Sequence, residues 1–197
     1  MGDRLTIRRP QMFHRKLFWL ASFLIVFAIS VPAHAADDTY TTEEIVRAAE
    51  GFFGDTTEGL ATAVEKAFAE LGKPNAFITG EEVSGAFIVG LRYGKGELNR
   101  KSAGPRKIFW KGPSVGWDFG GNASKVFTLV YKLENDEQMF RRFPGVDGSF
   151  YFIAGVGMNY QRRDKMVLAP IRTGIGLRAG ANIGYLHYDR EQGWLPF

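Results

Sequence analysis

Gly112-Pro113-Ser114-Val115-Gly116 has the G-x-S-x-G spacing of a nucleophile elbow, in which a serine is exposed at a strained strand-to-helix turn. That chemistry needs a helix behind the serine and a histidine beside it. The residues after Ser114 read as strand, and His187 is the only histidine beyond position 35. A proline–glycine turn accounts for the motif better than a hydrolase does. Gly174-x-Gly176-x-x-Ala179 matches a loose dinucleotide fingerprint, but it lies inside an alternating strand pattern with no helix behind it. His187 alone makes no metal site, and no carboxylates at ligand spacing surround it. The acid pairs Glu43-Glu44 and Glu81-Glu82 fall at an element start and in a loop, where solvation explains them. A glycosidase would need two convergent carboxylates, and Asp118 and Glu97 would meet only by an accident of folding. The residues thus give no catalytic group, no metal ligand and no cofactor site, and the chain is expected not to be an enzyme.

One stretch keeps a chemical meaning. Lys95, Arg100, Lys101, Arg106, Lys107 and Lys111 are interleaved with Phe109 and Trp110. Basic groups beside aromatics suit phosphate headgroups or anionic polysaccharide. The candidate anionic-ligand contacts are Lys95, Arg100, Lys101, Arg106, Lys107 and Trp110. The competing reading is a pair of edge strands protected from aggregation by charge.

The elements that would position these groups follow a leader. Arg4, Arg8, Arg9, Arg15 and Lys16 precede the apolar run Leu17–Val31, and Ala33-His34-Ala35 supplies a small-x-small cleavage pattern. Residues 1–35 are read as a cleaved secretory signal, with Met1 or Met12 as the start, and residues 36–197 as one exported, periplasmic domain. The run is short for a membrane span, which wants about 20 apolar residues. The whole chain has 25 basic and 21 acidic residues. The leader holds five of the basic ones and one acid, so the remainder is balanced and the high pI does not point to nucleic acid. The balance is uneven along the chain. Residues 36–82 carry 11 acids against three bases, and the rest carries nine acids against 17 bases. With no cysteine, folding rests on burial alone, and about 160 residues suffice for one core.

Thr41-Thr42-Glu43-Glu44 is a capping box, and Ile45, Ala48, Ala49 and Phe52 share a helical face before Gly54. Asp55 with Glu58 opens a second helix, striped by Leu60, Val64, Ala67, Phe68 and Leu71 and closed by Gly72 and Pro74. Beyond Pro74 the period becomes two. Strands are expected from Val83 to Tyr93, then over Arg106–Lys111, Ser114–Phe119, Ser124–Leu133, Ser149–Gln161, Met166–Arg172 and Thr173–His187. Turns are expected at Tyr93–Glu97, Gly112-Pro113, Gly120-Gly121-Asn122, Asp147-Gly148 and Arg162–Lys165. On the Ser124–Leu133 strand, Phe127, Leu129, Tyr131 and Leu133 are expected to be the more buried face, and Val126 and Val130 the other. The fold class is mainly β (α+β): a small antiparallel β-barrel of many short strands, preceded by two short helices within about 41–72.

The segments "NAFITGEEVSGAFIVGLRYGKGEL", "SVGWDFGGNASKVFTLVYKLEN" and "GVDGSFYFIAGVGM" carry a resemblance. From Pro74 to about Met158 the pattern of glycine-rich and apolar strands is similar to the SYLF lipid-binding domain. From Thr41 to Phe197 the chain more closely resembles the envelope integrity protein A family. That resemblance implies a small periplasmic barrel that supports envelope integrity and stress resistance without enzymatic activity. The SYLF likeness implies phospholipid binding through basic residues and an amphipathic N-terminal segment, but here that segment is acidic. The partners implied are phospholipid, lipopolysaccharide or another envelope component. A lipid or glycolipid carrier and a small outer-membrane barrel are the alternative readings.

Overall fold

The structure, a computed structural model, describes Gly2 and residues 38–54, 58–118, 124–173 and 184–193, with the side chains of residues 58, 84–89 and 114–118 excepted. The leader, the cap expected at Asp55, the Gly120-Gly121-Asn122 turn and most of the strand expected over Thr173–His187 lie outside the described residues.

Helix α1 spans Thr42–Phe53 and begins in the capping box its sequence promises. The Glu44 N–H donates to Thr41 Oγ1 at 3.3 Å, and the Thr41 N–H donates to Glu44 Oε2 at 2.7 Å. Gly54 ends it in the left-handed region at φ 93°. Lys125 reaches over from the sheet and donates to the last carbonyls, Phe52 O at 2.8 Å and Phe53 O at 3.3 Å. A cation there also meets the negative end of the helix dipole. Helix α2 spans Glu58–Leu71, and the Gly72 N–H donates back to Phe68 O at 2.9 Å.

Nine strands follow among the described residues: β1 Ala76–Arg100, β2 Ala103–Asp118, β3 Ser124–Tyr131, β4 Arg142–Pro144, β5 Tyr151–Ile153, β6 Val156–Met158, β7 Gln161–Arg163, β8 Met166–Thr173 and β9 Tyr185–Asp189. All pairings are antiparallel, in the order β4-β9-β2-β1-β3-β8-β6-β5, with β7 also on β8. A bridge between Gly145, just after β4, and Gln161, at the start of β7, brings the sheet back on itself. The result is a curled, barrel-like wall.

Two expectations are corrected. The Tyr93–Glu97 and Gly112-Pro113 turns do not exist: the 25-residue β1 and the 16-residue β2 run straight through them. The glycines serve close approach instead. A Cβ on Gly80 would lie 2.4 Å from Lys95 O and one on Gly96 would lie 2.2 Å from Thr79 O, so β1 folds back on itself backbone to backbone. Gly94 clears space for the Trp110 indole, which a Cβ would meet at 2.0 Å. Conversely, the single strand expected over Ser149–Gln161 is β5, β6 and the first residue of β7, broken at Ala154-Gly155, both with positive φ, and again at Asn159-Tyr160.

The third correction concerns burial. Both faces of β3 are core. Phe127, Leu129 and Tyr131 point outward and are covered by α1 and α2 through Ile45, Ala49, Leu60, Val64 and Ala67. Val126 and Val130 point into the barrel with Ile78, Ile108, Trp110, Phe143, Leu168, Leu186 and Tyr188. Leu133 joins the inner set, not the outer one. Lys132 sits at φ 60° and breaks the alternation, and Asn75 clasps Leu133 by two hydrogen bonds, 2.7 and 3.0 Å. The helices therefore line the side of the barrel rather than closing an end.

Candidate functional site

The inward face of β1 carries Ala76, Ile78, Gly80 and then Glu82. Glu82 is only 5% exposed, which corrects its reading as a solvated loop acid; its neighbour Glu81 is exposed. Glu82 Oε1 lies 3.1 Å from Arg172 Nε and 3.2 Å from Arg92 Nε. Its Oε2 accepts the Trp110 indole N–H at 2.8 Å. Arg172 also donates through Nη1 to Asn159 Oδ1 at 2.9 Å. Burial alone would raise the Glu82 pKa, but the two guanidinium groups and the indole donor outweigh it and hold the carboxyl below its usual value. Breaking such a set would leave an uncompensated buried charge.

The set is structural in form and also positions a surface feature. Trp110, fixed by Glu82, helps line a groove of about 310 Å³ with Glu81, Val83, Tyr93, Gly94, Lys95, Phe109, Lys111, Asp189, Gln192 and Gly193. Three aromatic residues, two lysines and two carboxylates thus meet at one place. Lys111 is already matched to Asp189, with Nζ to Oδ2 at 3.0 Å, and His187 Nε2 lies 3.0 Å from the other oxygen of the same carboxylate. Glu81 and Lys95 are exposed and make no ion pair among the described residues.

The six residues singled out from the sequence are not brought together. Lys95 and Trp110 line the groove. Arg100 pairs with Asp136 at 3.2 Å and with Asp38 at 3.7 Å. Lys101 pairs with Glu44 at 3.0 Å and lies over the Tyr40 ring. Arg106 pairs with Asp136 at 3.0 Å and Glu137 at 3.6 Å, and its guanidinium sits over Phe140. Lys107 is exposed, opposite Glu97 in the β1–β2 register. The acids of the N-terminal segment and of the short 3₁₀ turn Asp136–Met139 therefore neutralise half of the basic stretch. Glu82, the buried anchor of the groove's Trp110 that the sequence reading missed, had a signal. Counting the period-two pattern from Ala76 rather than Val83 puts Glu82 on the inward face.

These features sit on a fold with known counterparts. A solved structure from Brucella abortus, described as a β-barrel-like, uncharacterised protein, superposes with a TM-score of 0.75 and 56% sequence identity, covering 81% of this chain and 99% of that one. No curated protein matches the sequence. The model of the family described as envelope integrity protein A matches residues 38–197, and the chain belongs to that family, whose name carries a role in the integrity of the cell envelope.

Proposed function

We propose that this protein acts in the periplasm, without catalysis, and supports the envelope by holding an envelope component in the groove between β1, β2 and the end of β9. The observation that carries this reading is the groove itself: aromatic walls, charged rim, and a floor residue, Trp110, anchored by a buried carboxylate. The buried charged groups favour binding over chemistry, because Glu82, Arg172 and Arg92 are matched to one another.

The two alternatives are less well supported. A carrier would use a cavity inside the barrel, but Trp110, Met139, Phe143, Met158 and Tyr188 are buried there or beneath the helices. A membrane-spanning barrel would give its outer wall to lipid, whereas α1 and α2 cover part of that wall. No helix among the described residues is long and apolar enough to cross a membrane.

The test is genetic. A deletion strain challenged with detergent should be rescued by the wild-type gene and poorly by Phe109→Ala, provided the variant keeps its melting temperature and reaches the same periplasmic level. A stable, correctly exported Phe109→Ala protein that rescues fully would overturn the groove reading. Recovery of the active protein only in the cytoplasm would overturn the location.

A further inference from the structure

We infer that the groove recognises a zwitterion made of an ammonium and a phosphate, the chemistry of an ethanolamine or choline phosphate headgroup. This rests on the groove being the working site and names its ligand class. The argument begins with charge. Lys111 and Asp189 neutralise each other at 3.0 Å, which leaves, among the described lining residues, one exposed carboxylate, Glu81, and one exposed ammonium, Lys95. One charge of each sign, on a single groove, suits a net-neutral ligand with both signs rather than an anion.

The aromatic residues decide which neutral ligand. Tyr93 and Phe109 line the groove above the buried Trp110, and aromatic rings attract an ammonium, most of all one that carries methyl groups. Glu81 adds a formal negative charge for that ammonium. Lys95 supplies the donor for the phosphate, as a compact point charge able to reach it. The backbones of the two charged residues are fixed side by side, because Gly80 packs directly on Lys95 O and Gly96. Two opposite charges thus stand on neighbouring stretches of backbone and, among the described residues, do not pair with each other. A purely anionic ligand would leave Glu81 without a counter-charge, and a neutral sugar would leave both exposed charges unmatched.

The experiment is calorimetric titration of the mature protein with glycerophosphocholine, glycerophosphoethanolamine, glycerophosphoglycerol and cellobiose. The two zwitterions should bind, with affinity nearly unchanged by added salt, since a net-neutral ligand releases few counter-ions. Glu81→Gln and Lys95→Gln, neither of which touches an ion-pair partner among the described residues, should each weaken binding by about tenfold with melting temperature unchanged. Vesicles of phosphatidylethanolamine and phosphatidylcholine, compared with the soluble headgroups, identify the source. Binding to both indicates a membrane lipid, and binding to the soluble compounds alone indicates a free phospho-amine. Tighter binding of glycerophosphoglycerol that falls steeply with salt, binding of cellobiose alone, or no binding of any probe would overturn the inference. If no probe binds while Phe109→Ala still fails to rescue the deletion strain, the zwitterion assignment falls and the groove reading stands. If zwitterions bind but Phe109→Ala rescues fully, the reverse holds.

Discussion

Strand β3 is buried on both faces, yet the two sides of that wall are built differently. Outward, Phe127 stacks on Phe77 with centroids 5.2 Å apart and is flanked by Phe52 and Phe53 at 6.5 Å, under a helix layer of small and aliphatic residues. Inward, the apolar set around Val126, Thr128 and Val130 gives way at one end to Glu82, Arg172 and Asn159. The outer layer is held by area removed from water, which is non-directional and tolerant of repacking. The inner end is held by charges whose loss cannot be repaired by neighbouring side chains, and it fixes the residue that floors the groove. Both layers thus contribute apolar burial to stability, while the groove's geometry depends on the charged end of the inner one.

The largest expected effect tests the outer layer. Phe127→Ala removes a fully buried ring between sheet and helices and should cost about 3–5 kcal/mol, enough to unfold many domains of this size. Chemical denaturation measures it directly. A midpoint shift below about 1 kcal/mol would mean that the helices close over the gap and that the outer layer is looser than its packing indicates.

Glu82→Gln tests the inner end and should cost about 2–3 kcal/mol at neutral pH, because Arg172 and Arg92 lose their counter-charge while the shape is kept. Pairing it with Arg172→Met should restore part of that loss, which separates the penalty of an orphaned charge from the worth of the pair. The pH dependence has a definite sign. The folded-state pKa of Glu82 is lowered, so its contribution is present above the ordinary value of 4.5 and is lost as pH falls through the lowered one. The stability gap between wild type and Glu82→Gln should therefore be constant from neutral down to about pH 5 and narrow below about pH 4. The tyrosines act at the other limb. Burial raises the pKa values of Tyr131, Tyr160 and Tyr188, so their neutral forms favour the folded state and the protein should lose stability above about pH 10. A pH–melting profile flat from 3 to 11 would contradict both limbs.

The contrast between the layers also explains what the sequence could reveal. The helices were legible because their signals are local: a capping box at Thr41 and Glu44, stripes at helical spacing, and glycines at 54 and 72 that stop them. The barrel class was legible from the period-two runs. The long reach of β1 was not, because Gly94 and Gly96 read as a turn when taken alone; only the Trp110 ring and the Thr79 carbonyl, brought close by the fold, show that the missing Cβ atoms are needed for clearance. The inner end was the least legible. Glu82 and Arg172 are 90 positions apart, and nothing near either announces the other. The basic stretch misled for a related reason. The acids that neutralise Arg100, Lys101 and Arg106 come from residues 38, 44, 136 and 137, so charge density along the chain overstated charge density in space.

The smallest effect tests whether the outer layer depends on its local signals or only on its packing. Thr41→Ala deletes the hydroxyl that accepts the Glu44 N–H and leaves one donor of the first helical turn without its side-chain partner. Caps of this kind contribute about 1 kcal/mol. Glu44 works on two sides here, since its carboxylate accepts the Thr41 N–H and lies 3.0 Å from Lys101 at the β1–β2 turn, so it ties the start of α1 to the barrel wall. That ion pair is exposed and should add little, below about 1 kcal/mol, and high salt should remove most of it. Glu44→Gln keeps an acceptor for the Thr41 N–H and loses the pair, so it should be milder than Thr41→Ala. If Glu44→Gln proves the more damaging and its effect vanishes in high salt, α1 is held to the barrel by charge rather than by the Phe127 layer. The outer face would then resemble the inner one, and the contrast between them would fail.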